Sequence, residues 1–137
     1  MIIVSACLLG RNCRYDGGNC FNERVKEFLA SKEYLAVCPE QLGGLTTPRK
    51  PSEISVDNVF DKDGLDVTAA FRLGAATVLS RALSSGCQLA ILKSESPSCG
   101  KGLIFDGSFS GKLVEGKGIT AALLESSGIR VITEEEL

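Results

Sequence analysis

The sequence predicts a single α/β domain, a Rossmann-like three-layer sandwich around a mostly parallel sheet. Three observations lead there. Short apolar, largely β-branched runs recur at 2–6, 34–37, 88–93 and 129–132, the length of buried strands. Helical apolar spacing fills much of the chain between them. The resulting order, strand–helix–strand–helix–strand–helix–strand, requires parallel pairing with helices on both faces. No repeat, linker or low-complexity segment interrupts the 137 residues, so residues 1–137 read as one domain.

Each element has its own signal. Ile2-Ile3-Val4-Ser5-Ala6 reads as the first buried strand, followed by a loop over 7–20 rich in Gly, Asn, Arg and Cys. Asn22 is predicted to cap a helix reaching about Ser31, with Val25, Phe28 and Leu29 on one face. Residues 34–37 form the second strand. The segment from Cys38 to Pro48, with Gly43-Gly44 and two prolines, reads as a long loop, and such loops are more often functional than idle. Residues 54–60 alternate and predict an edge strand or hairpin, closed by the turn Asp61-Lys62-Asp63-Gly64. Asp66 or Thr68 then caps the longest helix, which runs through Leu83 to a stop at Gly86. Residues 88–93 are the third strand. Residues 103–105 suggest a short strand, with Gly107, Gly111, Gly116 and Gly118 marking turns of a small hairpin region. A helix over 118–127 and a strand over 129–132 complete the pattern, and Glu134-Glu135-Glu136 reads as a solvated tail.

Composition removes several mechanisms. There is no histidine, which excludes a Ser-His-Asp triad, a Cys-His dyad and His-ligated zinc. Proton transfer falls to carboxylates, Lys, Tyr, Ser or Cys. Fifteen Lys and Arg against seventeen Asp and Glu give a net charge of −2, so phosphate-driven nucleic-acid binding is not expected, although Arg11, Arg14, Arg49 and Lys50 make a local basic rim. No apolar stretch has the length of a membrane span, and Met1-Ile2-Ile3-Val4 lacks the features of a signal peptide. The expected location is the cytoplasm, where six cysteines are free, catalytic or metal-bound rather than paired.

Three of those cysteines stand out. Cys7 and Cys38 follow apolar runs directly, and Cys99 closes the turn Ser94–Ser98 after a third. If the runs are parallel strands, all three thiols reach the carboxyl edge of one sheet, where open α/β sheets bind ligands. Convergent thiols without histidine point to a thiolate-held iron–sulfur cluster. Three thiolates on a four-iron cluster leave one iron open to a substrate atom. The alternative is that they are small buried hydrophobes, the reading preferred for Cys87. Cys13 and Cys20 are open between spare thiols, a redox pair and substrate-channel residues.

Polar groups cluster near them. Glu40, two residues past Cys38, is a candidate proton donor and acceptor, a role that suits a carboxyl in a closed apolar pocket. Ser96 and Ser98 flank Pro97 before Cys99; they either meet a substrate heteroatom or cluster sulfur, or cap the backbone. Arg14, Tyr15 and Asp16 offer a planar donor, an aromatic face and an acceptor, which fits a heterocycle as well as an ordinary turn. Gly43-Gly44 lacks the Lys-Ser/Thr of a phosphate loop, so no nucleotide site is expected there.

Several motifs together carry a family resemblance: Ser5-Ala6-Cys7-Leu8-Leu9-Gly10, Cys13-Arg14-Tyr15-Asp16-Gly17, Cys38-Pro39-Glu40-Gln41-Leu42-Gly43-Gly44-Leu45, Pro48-Arg49, Gly64-Leu65-Asp66-Val67-Thr68, Leu92-Lys93, Ser96-Pro97-Ser98-Cys99-Gly100 and Asp106-Gly107-Ser108-Phe109-Ser110-Gly111. The chain resembles the small bacterial thiouracil desulfidases, nearly end to end. The resemblance implies a 4Fe–4S cluster on Cys7, Cys38 and Cys99, and removal of sulfur from a thiolated pyrimidine as sulfide. It implies Glu40 and Ser98 as the proton-handling pair, with Ser98 favoured over Ser96. Arg14, Asp16 and Ser96 are the expected substrate contacts, and a free thiolated nucleobase is expected rather than RNA. The competing readings are a non-catalytic iron–sulfur or sulfur carrier and a redox sensor built on Cys13 and Cys20.

Overall fold

The computed structural model describes residues 1–137 throughout. Its main sheet has four strands: β1 (Ile2–Ser5), β2 (Tyr34–Val37), β5 (Leu89–Leu92) and β8 (Arg130–Thr133). They lie in the order β2-β1-β5-β8, and every pair is parallel. This is the parallel α/β sheet expected from the alternating order. Between the strands stand α1 (Glu23–Leu29), α2 (Pro39–Leu42), the hairpin β3 (Ser52–Ser55) and β4 (Asn58–Asp61), α3 (Thr68–Ser84), the hairpin β6 (Lys101–Phe105) and β7 (Leu113–Lys117), and α4 (Ile119–Ser126).

Neighbouring residues on each strand feed two different cores, as a period of two demands. Ile3, Ala90, Leu92 and Val131 pack with Val78 and Ala82 of α3 and Ala121 and Leu124 of α4. Val4, Ile91 and Ile132 pack on the opposite face with Val25 and Leu29 of α1. A strand buried on both sides reads as a continuous apolar run, as β1 and β5 do at the centre of the sheet, while edge strand β2 keeps an apolar run although Tyr34 is exposed. Asn22 caps α1 as expected, accepting the Val25 N–H at 3.1 Å. At the start of α3 the two candidates divide the work. Asp66 accepts the Thr68 N–H at 2.9 Å, while the Thr68 hydroxyl accepts from the Val59 N–H at 2.8 Å and ties the helix to β4.

Two local expectations are corrected. The start of the 38–48 loop is helical: Pro39 sits in the first turn of α2, where its missing N–H leaves no bond unmade. Glu134 is not part of a solvated tail. Only 9% exposed, it accepts the Ser94 N–H at 2.7 Å and the Lys93 ammonium at 3.0 Å. Thr133 and Glu136 cap the final turn reciprocally. No helix is long and apolar enough to cross a membrane.

Candidate active site

Parallel register places the site. Ser5 of β1 lies opposite Val37 of β2, so Cys38 leaves the sheet one residue beyond that pair and Cys7 two residues beyond it. Cys99 comes from the loop after β5, the strand on the other side of β1. Beyond these strand ends is a cavity of about 460 Å³. Cys7, Cys13, Cys20, Cys38 and Cys99 all line it, together with Glu40, Arg14, Ser96 and Ser98. Cys87 instead packs in the core beneath α3 and α4. Asp16 is exposed and outside the wall; it stands 3.5 Å from Arg14 and accepts the Gly18 N–H at 2.9 Å.

All six cysteines are free thiols. The Cys13 thiol has those of Cys7 and Cys38 as neighbours, and Cys38 donates to the Cys13 carbonyl at 3.7 Å. The Cys38 contact favours its thiolate, but Cys7 and burial outweigh it and push Cys13 up to about 11. The Cys13 contact, then burial, raise Cys38 far above the ordinary thiol range. Burial pushes Cys99 up to about 12, against the hydrogen bond from Ser5. Ser5 is well placed for this: it accepts the Lys93 N–H at 2.9 Å and donates to the Cys99 sulfur at 3.3 Å. Cys20 receives the Arg14 guanidinium at 2.9 Å and does not pair with Cys13.

Polar groups adjoin the thiols. The Ser98 hydroxyl lies 3.1 Å from Glu40 Oε2, 3.0 Å from Ser96 Oγ and 3.6 Å from the Cys99 sulfur. It has one proton, and the carboxylate is the strongest acceptor within reach, so the order of donation is Ser96 to Ser98 to Glu40. Ser96 Oγ in turn accepts the Ser98 and Cys99 N–H groups. Glu40 does not sit in an apolar pocket: Arg49 Nε stands 3.3 Å from Oε1, and the Arg49 side chain is only 8% exposed. Arg49 also donates to the Cys13 carbonyl at 2.9 Å, the Thr46 carbonyl at 3.2 Å and the Thr47 hydroxyl at 2.9 Å. One side chain thus joins the carboxylate to two cavity loops.

Arg49, which the sequence offers as rim charge and in the Pro48-Arg49 motif but without a role in the site, lines the cavity, as do Ser5, Lys93, Phe105 and Phe109, which it also leaves without a role. A buried arginine looks like a surface one in sequence. Its place after Pro48, within the long connection following Cys38, was the available signal.

Fold and site define an α/β protein with a thiol-lined, small-molecule cavity at the carboxyl edge of a parallel sheet. The 2-thiouracil desulfurase family model matches residues 2–136, and the chain belongs to that family. It is 43% identical to the uncharacterized protein YbbK of Bacillus subtilis (strain 168), covering all of this chain and 97% of the relative. Among solved structures it matches the [4Fe-4S]-dependent thiouracil desulfidase TudS with 46% identity and a TM-score of 0.95, over 99% of this chain and 91% of that one.

The residues present fit an iron–sulfur cluster. The donors are soft thiols with no imidazole among them, the ligand type such clusters take. Cys7, Cys38 and Cys99 border one cavity, so all three thiols can face a single group bound there.

Proposed function

We propose that this protein is a 4Fe–4S-dependent desulfidase that removes the sulfur of a thiolated pyrimidine, 2-thiouracil or a close analogue, as sulfide. Cys7, Cys38 and Cys99 hold the cluster, Glu40 and Ser98 handle protons, and Arg14 and Ser96 meet the substrate, with Asp16 steadying Arg14. The observation that carries this reading is one cavity that brings the thiols and the Ser98–Glu40–Arg49 chain together, in a member of this family.

The overall change is thiocarbonyl plus water to carbonyl plus hydrogen sulfide. Sulfur leaves at its starting oxidation level, so no outside electron is needed. Bound through three cysteines, the cluster supplies an iron with a free position for the soft thiocarbonyl sulfur. Glu40 takes the proton of the attacking water and returns it to the departing sulfur. Ser98, hydrogen-bonded to Glu40, shares that proton path. Arg49 fixes the carboxylate between the loops it must serve. Six free thiols suit a reducing compartment, and we place the protein in the cytoplasm, acting on a free base rather than on RNA.

The test is iron and acid-labile sulfide content after anaerobic reconstitution, with sulfide release from 2-thiouracil measured on the same samples. Wild type is expected to hold about four irons per chain and to release sulfide. Cys7→Ser, Cys38→Ser and Cys99→Ser should each lose both. A cluster-bearing wild type that releases no sulfide would leave a carrier role instead, and a chain that takes up no iron would sink the mechanism.

A further inference from the structure

The hairpin β6–β7 carries a loop, 106–112, whose backbone is held in an unusual shape at the cavity. Phe105, Phe109 and Gly111 stand in the cavity wall, beside Ser52 and Glu53 of β3. Phe109 has φ of 56°, in the left-handed region that residues with a side chain rarely adopt. Such strain persists only where the surroundings over-determine it. Here they do. Glu53 Oε1 accepts the Gly107 N–H at 3.0 Å and the Phe109 N–H at 3.1 Å. Asp106 accepts the Ser108 N–H at 2.9 Å, and the Ser108 and Ser110 hydroxyls bond to each other. Gly107 lies so close to the Ile54 carbonyl that a Cβ would collide with it.

No hydrogen bond joins this loop to the thiols or to the Ser98–Glu40–Arg49 chain, so the chemistry at sulfur does not account for its shape. A flat heterocycle does. Tyr15, next to Arg14, lines the same cavity, so aromatic groups from two separate segments border the space that a pyrimidine would enter. A base presents a π-face to stacking whatever its substituents. We propose that Phe109 is a substrate-binding residue that stacks on the substrate ring, and that Glu53 is the positioning residue that holds Phe109 there. This rests on the desulfidase reading for the identity of the ring.

The test pairs kinetics with binding of uracil, which offers the ring but no sulfur for iron. Both are measured on reconstituted protein, binding by calorimetry. Phe109→Ala is expected to raise KM for 2-thiouracil and Kd for uracil about tenfold, with the loss falling on KM rather than kcat. Phe109→Leu, which keeps apolar bulk without a π-face and guards against misfolding, should weaken uracil binding in the same direction. Glu53→Ala should behave like Phe109→Ala. Glu53→Gln should restore tight binding, because its amide oxygen can accept the same two N–H groups. Unchanged KM and Kd in both Phe109 variants would overturn the stacking role, as would a wild type that does not bind uracil. Equal damage in Glu53→Gln and Glu53→Ala would overturn the positioning role. A wild type that releases no sulfide but binds uracil in a Phe109-dependent way supports the stacking role and removes only the desulfidase reading.

Discussion

Glu40 carries its charge between two neighbours of different kinds. Arg49 offers a fixed positive charge at 3.3 Å, and Ser98 offers one movable proton at 3.1 Å. The first keeps the carboxylate in place; the second connects it to the reacting atoms. Glu40→Gln removes the base, since the amide keeps an oxygen for Ser98 but cannot take up a proton. Sulfide release should fall about 10²–10⁴-fold while iron content stays at the wild-type level. Equal turnover in the two proteins would remove Glu40 from the mechanism. Arg49 is tested differently, because its planar fork reaches four oxygen acceptors that a lysine ammonium cannot match. Arg49→Lys should cost about 2 kcal/mol, measured by urea denaturation of the metal-free protein. A change within 0.5 kcal/mol, the ordinary range of surface substitutions, would mean that lysine reproduces the network.

Elements, rather than single residues, decide where Cys38 and Cys99 stand. Short α2, which begins right after Cys38 and contains Glu40, is pressed against α3 through a seam of two glycines. A Cβ on Gly74 would collide with the Pro39 carbonyl, and one on Gly43 with the Ala70 carbonyl. Gly74→Ala must therefore push α2 away, taking Cys38 and Glu40 with it. The expected result is a stability loss of about 1–3 kcal/mol by urea denaturation and impaired cluster assembly. Full iron content in a destabilised Gly74→Ala would show that the seam supports the fold without setting the site. On the other side, the first turn of α4 holds the Cys99 loop: the Ile119 N–H donates to the Pro97 carbonyl at 2.9 Å and the Thr120 N–H to the Ser98 carbonyl at 2.8 Å. Gly118 leaves the room for this approach. These seams explain what was and was not legible. Unbroken apolar runs mark β1, β2, β5 and β8, so these strands and the strand-end position of Cys7 and Cys38 follow from sequence. Four-residue α2 has too few turns to show a period, and its glycines read as loop when they serve close packing. Strand β7 was invisible because Glu115, Gly116 and Lys117 interrupt its apolar pattern. The place of Cys13 in the same cavity as Cys7 and Cys38 depends on how a loop folds back, which spacing does not encode.

At the scale of the whole molecule, a line of hydrogen bonds links the last strand to the cavity floor. Glu134, just past β8, accepts from the Ser94 N–H, the Ser94 hydroxyl and the Lys93 ammonium beyond β5. The Lys93 N–H donates to Ser5 at the end of β1, and Ser5 donates to the Cys99 sulfur. Burial alone would push the Glu134 carboxyl up, but the Ser94 N–H, the Lys93 ammonium and the Ser94 hydroxyl hold it below its ordinary value of 4.5. Below pH 4.5 the unfolded chain therefore takes up a proton that the native chain still refuses. The contribution of Glu134 is complete above pH 4.5 and disappears as pH falls through the native pKa. Asp66 and Asp106 are also held low, by contacts with Thr68 and Ser108, so the wild-type slope in acid has several sources. Glu134→Gln leaves those two in place, and the difference between the proteins isolates one carboxylate. Urea midpoints measured from pH 7 down to pH 3 should show the variant less stable at neutral pH and the gap narrowing below pH 4.5. Two parallel curves across that range would mean that the tie between β8 and the cavity floor does not depend on the Glu134 charge.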